Sequence, residues 1–153
     1  MEPTVRVVYD VVDDESWRSL LLWLCCKCSY LVVTTRKAES NTLSRLTGIL
    51  GQPINEERVA KWPGTELLFG RTALRSKFRI SAADVDDLFA LARVPWEWIE
   101  PRLPEDLTFL THDNRVVARS VTHERFLAVD LPTSEASELV DLVPGMRILD
   151  GEV

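Results

Sequence analysis

Apolar residues recur along this chain with two periods, and the switches between them predict its elements. The run Val5-Arg6-Val7-Val8-Tyr9-Asp10-Val11-Val12 is rich in β-branched residues and reads as a strand. Its near-continuous apolarity predicts burial on both faces and a central place in a sheet. Asp13, Asp14 and Glu15 then set negative charge where a helix begins, complementing the helix dipole. Trp17, Leu20, Leu21, Leu24 and Cys28 follow at helical spacing, and Leu22 and Trp23 widen that stripe. Such a helix is either covered on two sides or offers a patch to another chain. Tyr30 to Thr35 is β-branched again and reads as a short strand or as the end of the preceding helix. Polar residues fill 36–42. Leu43, Leu46, Ile49 and Leu50 mark a second helix that Gly51 and Pro53 stop. Glu56 to Trp62 is expected to add a helical turn before Pro63-Gly64.

Two strands are predicted next, Leu67–Phe69 and Ala73–Ile80, around a break at Gly70-Arg71. In the second, Leu74, Ser76, Phe78 and Ile80 share one side, and Arg75, Lys77 and Arg79 the other. That alternation describes a half-buried strand with a basic, solvated outer face; as a site, the face with Arg71 would prefer an acidic partner or a phosphate. Ser81 and Asp84 suit a capping box ahead of a helix buried through Val85, Leu88, Phe89 and Ala92. Val94 to Pro104, punctuated by Pro95, Trp96, Trp98, Pro101 and Pro104, is expected to run extended over the surface, pinned by its indoles. Thr108–Thr111, Val116–Val121 and Arg125–Leu131 alternate with turns at 112–115 and 122–123, a three-stranded antiparallel meander. Thr133 caps a last helix through Leu142, and Met146 to Leu149 adds an edge strand after Pro144-Gly145. The expected architecture is a single α+β domain over residues 1–153, with a mainly antiparallel sheet and helices packed mostly on one face.

Composition narrows the class of function. With 46% hydrophobic and 27% charged residues the chain can bury a core, which excludes disorder throughout. A net charge of −6 argues against a nucleic-acid partner, which needs clustered Lys and Arg, and suits a small-molecule site or a basic protein partner. The three cysteines, Cys25, Cys26 and Cys28, are odd in number and lie in an apolar run, so no disulfide framework is expected and a cytoplasmic location is. Met1-Glu2-Pro3-Thr4 lacks the basic and apolar regions of a signal peptide. The longest apolar block, Leu20 to Cys26, falls short of the roughly 18 residues of a membrane span, so no membrane association is expected.

Strong catalytic signatures are missing: the chain holds no HExxH, P-loop, GxSxG or GxGxxG. Cys25, Cys26 and Cys28 with His112 or His123 invite a zinc reading. Neighbours at those spacings on a helix point in different directions, so no metal and no cofactor is expected. His123-Glu124 is the best polar candidate, an imidazole beside a carboxylate. On a strand the two would point to opposite faces, and a histidine stitching its turn to the Trp62–Glu66 loop explains the pair better. Glu105-Asp106 pairs two carboxylates, though adjacent acids after a proline more often satisfy backbone amides in a turn. Trp96 and Trp98 flank a glutamate, and in an extended segment their indoles would share one side. That arrangement fits a binding hot spot or a covered core equally.

Together Trp62-Pro63-Gly64-Thr65-Glu66, Leu103-Pro104-Glu105-Asp106-Leu107, Phe109 and His123-Glu124 resemble a pattern of small uncharacterised bacterial α+β proteins of the immunity and partner-binding kind. The resemblance covers about residues 61–142 and implies no catalytic residue. An excess of arginine (14) over lysine (4) fits a bacterial, high-GC source. The leading expectation is a non-enzymatic protein-binding module of the immunity or inhibitor kind, with Trp96, Trp98, Glu105 and Asp106 as contact residues. The alternatives are a small hydrolase or ligand-binding enzyme using His123, Glu124 and Glu105, and a homo-oligomer joined through the helix that contains Trp23.

Overall fold

A computed structural model describes residues 2–9, 13–37 and 41–149. Asp10, Val11 and Val12, read above as part of the first strand, and residues 38–40 of the polar loop lie outside that range. The elements are β1 (Thr4–Tyr9), α1 (Asp14–Lys27), β2 (Tyr30–Thr35), α2 (Thr42–Leu50), β3 (Asn55–Val59), β4 (Lys61–Trp62), β5 (Thr65–Glu66), β6 (Ala73–Arg79), α3 (Val85–Leu91), β7 (Glu105–Leu110), β8 (Val116–Val121), β9 (Phe126–Pro132), α4 (Thr133–Leu142) and β10 (Met146–Ile148). Eight strands form one sheet in the order β10-β1-β9-β8-β7-β2-β6-β3, with every pairing antiparallel. β4 and β5 form a separate two-stranded hairpin. The fold is α+β.

Register explains the core. One row of facing residues crosses six strands: Val7, Val129, Ala118, Phe109, Leu31 and Phe78. All six are buried, and the helices pack over this face. α1 contributes Trp17, Leu20, Leu21 and Leu24, α2 Leu46, α3 Val85 and Leu88, and α4 Ala136 and Leu139. Burying each of the large side chains contributes about 1.5–3 kcal/mol. The helix starts follow the expected chemistry: the Asp13 carboxylate accepts from Ser16 N–H at 2.7 Å, and Asp84 accepts from Ser81 N–H at 2.8 Å.

The opposite face carries the complementary row Val8, Ala128, Arg119, Thr108, Val32, Lys77 and Asn55. Arg6 grips Asp130 here with two bonds, Nε to Oδ1 at 2.8 Å and Nη2 to Oδ2 at 3.1 Å, and Arg119 Nη1 approaches the same carboxylate at 3.4 Å. That hydrogen bonding raises the Arg6 pKa above its ordinary value. One end of this face is roofed by the β4–β5 hairpin. Its turn passes so close to β8 that a Cβ on Gly64 (φ +89) would meet Val121 Cγ2 at 2.6 Å.

Several expectations change. Glu56 to Trp62 forms no helical turn: β3 is an edge strand whose residues are mostly exposed, so pairing with β6 shapes it and apolar alternation does not. Leu67–Phe69 is no strand but a loop with Leu68 and Phe69 in solvent. Tyr30–Thr35 is a strand and lies between β7 and β6, well inside the sheet. The segment 94–104 does not run extended, because Pro95–Glu97 is a 3-10 turn that drops Trp98 and Leu103 into the core. Thr133 does not cap α4; its hydroxyl donates to the Pro3 carbonyl, while the Glu2 carboxylate accepts from Ser134 N–H at 2.5 Å. Among the described residues, no helix is long and apolar enough to cross a membrane.

The cysteines separate by exposure: Cys25 and Cys28 are buried and Cys26 is not, and all are free thiols. Burial pushes the thiols of Cys25 and Cys28 up to about 12, so neither supplies thiolate near neutrality. Ellman's reagent at pH 8 is therefore expected to titrate one thiol per native chain and all three in guanidinium chloride. Rapid reaction of a second thiol in the native protein would contradict that burial.

Candidate functional site

The site forms where β7 begins. Across the β2–β7 pairing, Val32 faces Thr108 but Thr34 faces Glu105, so β7 holds one extra residue. This β-bulge coincides with a left-handed Asp106 (φ +50), a conformation aspartate tolerates better than most residues. Strict alternation would send adjacent carboxylates to opposite faces. Here both converge on Arg36, whose Nε lies 3.4 Å from Glu105 Oε2 and whose Nη2 donates to Asp106 Oδ2 at 3.2 Å.

Asp106 is 1% exposed and fully engaged. Its Oδ1 accepts from Thr122 N–H at 2.9 Å, and its Oδ2 accepts from the Trp62 indole N–H at 2.9 Å as well as from Arg36. The Arg36 guanidinium also lies 5.3 Å from the centre of the Trp62 ring, a cation–π contact. Glu105 Oε1 accepts from the Glu100 N–H at 3.3 Å, and the Glu100 carboxylate accepts from Arg36 N–H at 2.6 Å and Lys37 N–H at 3.3 Å. A 3-10 turn over Thr122–Glu124, closed by left-handed Arg125, presents His123 so that Nε2 stands 2.9 Å from Glu105 Oε2. The His123 side chain is 54% exposed.

Three motifs far apart in sequence thus meet in one network: Trp62 of the hairpin, Glu105 and Asp106, and His123. The histidine stitches its turn to Glu105, while Asp106 holds the Trp62 hairpin. Glu124 shares the 3-10 turn with His123, is exposed, and makes no hydrogen bond or ion pair among the described residues. Of the four expected contact residues, Trp98, Glu105 and Asp106 have almost no surface, and Trp96 packs partly buried against the core. As placed, Trp98, Glu105 and Asp106 offer a partner almost no surface, and Trp96 offers part of its ring.

Chemically, a half-exposed imidazole oriented by a buried carboxylate is suited to proton transfer. The same carboxylate also satisfies a backbone amide and neighbours a guanidinium, which is structural work. Among the described residues, no three of His, Cys, Asp and Glu are arranged to hold a metal ion. Glu105 and Asp106 converge on a cation the chain already supplies, and His123 stands on Glu105.

Beside this network, Arg36 and Lys37 wall an open groove of 340 Å³ with Leu67, Arg71 and Thr72. The loop between its last three residues carries Leu68 and Phe69 outward. Phe69 is 98% exposed and has φ +60, and Gly70 follows at φ +71. A second groove of 310 Å³ lies on the open face of the sheet, between the hairpin and β2, β6, β7 and β8. A third, 420 Å³ and mainly apolar, runs between α1 and α4 beside Leu22, Trp23, Cys26 and Leu142. Trp23 itself is buried and shielded by Lys27, whose Nζ lies 5.7 Å from its ring centre. Leu22 and Leu142 are the large apolar residues that the surface shows there.

Arg36 and Phe69 escaped the sequence reading. Arg36 sits in a polar stretch with no motif, and Phe69 had been absorbed into an expected strand. The isolated Gly70-Arg71 after two apolar residues was the available signal for a loop tip. No protein-family model, no curated protein and no solved structure matches this chain, so the site is read from its own geometry.

Proposed function

We propose that this chain is a non-enzymatic protein-binding module, of the immunity or inhibitor kind, that presents the 67–72 loop to an acidic partner. The observation that carries the reading is Phe69, an aromatic side chain 98% exposed on left-handed backbone. For a non-glycine residue that backbone costs about 1–2 kcal/mol, and in the free protein the ring returns almost nothing through burial. An exposed aromatic side chain is of the kind enriched at the core of protein interfaces, and Leu68 beside it adds exposed apolar surface. Arg36, Lys37 and Arg71 surround the loop's base. Arg36 is already paired with Glu105 and Asp106, so the complementarity to an acidic partner surface rests on Arg71 beside the loop.

The experiment is a pull-down from source-cell lysate with wild-type and Phe69→Asn baits, read by mass spectrometry at low and high salt. Asparagine accepts left-handed backbone readily, so the variant should melt at or above the wild-type temperature. It should retain at least about tenfold less of a stoichiometric partner, the loss expected of a hot-spot residue. Equal capture by both baits would remove the loop from the interface.

The close approach of His123 to Glu105 favours a second reading, a small hydrolase or ligand-binding enzyme. None of the three grooves is lined by His123, Glu105 or Glu124. An empty wild-type bait, together with turnover of an ester or amide that His123→Gln abolishes, would replace the binding-module reading with this one. A dimeric native mass that Leu22→Glu dissolves would point to self-association through α1.

A further inference from the structure

The groove on the open face of the sheet holds a buried charge that makes no ion pair with a carboxylate among the described residues. Arg75 is 6% exposed and lines this groove of 310 Å³. Its guanidinium donates from Nη1 to Thr34 Oγ1 at 2.6 Å and to the Asp106 carbonyl at 3.0 Å, and from Nη2 to Thr108 Oγ1 at 2.8 Å. All three acceptors are neutral. These bonds use three of the five N–H donors of a guanidinium and leave two without a partner among the described residues. The half-buried arginines behave otherwise: Arg6 and Arg119 stand on Asp130, and Arg36 stands on Glu105 and Asp106. The most deeply buried arginine of the fold makes no ion pair with a carboxylate among the described residues.

Buried cations are ordinarily paired, because desolvation must be repaid by an opposite charge close by. Burial lowers the Arg75 pKa to about 10, so the group is still cationic at neutral pH, with the Asp106 and Glu57 carboxylates acting on it only from a distance. The rest of the groove limits what could complete the pair. Lys77 is already occupied, hydrogen-bonded to Asn114 with its Nζ 4.1 Å from the centre of the Tyr30 ring. Glu57 faces Arg75 across the β3–β6 pairing and opposes a multiply charged anion more than a singly charged one. Val32, Val59, Leu110 and Val116 offer apolar surface, Trp62 and Pro63 of the hairpin add to it, and Lys61 brings a further cation to the lining that offsets Glu57.

We infer that this groove binds a small monocarboxylate with an apolar body, the carboxylate on Arg75 and the body against Val32, Leu110 and Trp62. A planar guanidinium with two free donors matches a carboxylate in shape and charge. The volume falls at the lower end of the range for small-molecule pockets, which suits a compact acid. This site is separate from the 67–72 loop, and its test involves no protein partner.

The test is NMR on the ¹⁵N-labelled full chain, following the indole N–H of Trp62, which lines the groove and donates to Asp106 at 2.9 Å. Sodium hexanoate is expected to shift that signal saturably. Hexanamide, of the same shape without the charge, should respond at least about tenfold more weakly. Arg75→Gln should abolish the hexanoate response. Because Arg75→Gln also disturbs three hydrogen bonds, Val116→Glu serves as a second variant: the residue is at the exposed rim, and the new carboxylate should compete for Arg75 and weaken hexanoate by a similar factor. Equal responses to hexanoate and hexanamide, no saturable response to hexanoate, or a tighter response to inorganic phosphate would each overturn the inference.

Discussion

Replacing Trp98 by alanine is expected to destabilise the domain by about 3–5 kcal/mol, the usual cost of emptying a buried aromatic site. Trp98 is 1% exposed and belongs to the central apolar cluster. Its carbonyl accepts from Thr122 Oγ1 at 3.0 Å, which ties the 94–104 segment to the turn that carries His123. Trp98→Phe should cost clearly less. Most of the volume stays, and the indole N–H lost with the substitution is buried without a hydrogen-bond partner. Urea denaturation of the three proteins measures the order directly. If Trp98→Ala instead keeps wild-type stability and weakens partner capture, the indole is a contact residue after all and this placement of the 94–104 segment is wrong.

Asp106→Ala is the second large effect, with an expected loss of about 3–5 kcal/mol, the range for removing one member of a buried charged pair. Three donors lose their acceptor at once: the indole of Trp62, the Arg36 guanidinium and the Thr122 N–H. Alanine also fits φ +50 less well than aspartate does. Asp106→Asn keeps the tolerance for that backbone and one oxygen acceptor, so it should fall between the two. Beyond stability, the alanine variant should release the β4–β5 hairpin, seen as movement of the Trp62 indole resonance toward its solvent-exposed position. An unchanged Trp62 resonance in Asp106→Ala would show that the hairpin is held by other contacts. Since Trp62 also lines the Arg75 groove, the two sites share this joint.

How much of this was legible in the chain depends on what sets each element's shape. The strands β6, β8 and β9 and the helix α4 follow their apolar periods because each turns an apolar face to the core, while β7 is buried along its whole length. Val116–Val121 agrees with the sequence reading residue for residue, and α4 ends at Leu142 as expected but already includes Thr133, the residue expected to cap it. β3 was hidden because an edge strand with Glu56, Glu57 and Arg58 carries no apolar period. Phe69 misled because an exposed aromatic looks, in sequence, like a buried one. Trp96 and Trp98 were placed on one side by assuming an extended backbone, and the 3-10 turn at Pro95–Glu97 removes that premise. The convergence of Glu105 with Asp106 needed the β-bulge, which depends on pairing with β2 and leaves no trace in local composition. Arg75 obeys its predicted alternation, on the face opposite Phe78. Only the hairpin over that face makes it a buried charge, and Pro63-Gly64 was the hairpin's one sequence signal.

The strand order has a kinetic consequence. Among the described residues β1 pairs with β9 and β10 and with no other strand, and the Arg6–Asp130 contact joins residues 124 positions apart. At roughly 5–20 residues per second of synthesis, β1 waits on the order of 6–25 s for its first partner to be made. Meanwhile β2, β6 and β7 can assemble with α1–α3 over them, since all of these elements are complete by Leu110. Closing the sheet on β1 is then the slow, long-loop step of folding. Until it occurs, β1 leaves both of its hydrogen-bonding edges open to other chains, so the nascent protein is vulnerable to aggregation at β1 while β9 is still to be made.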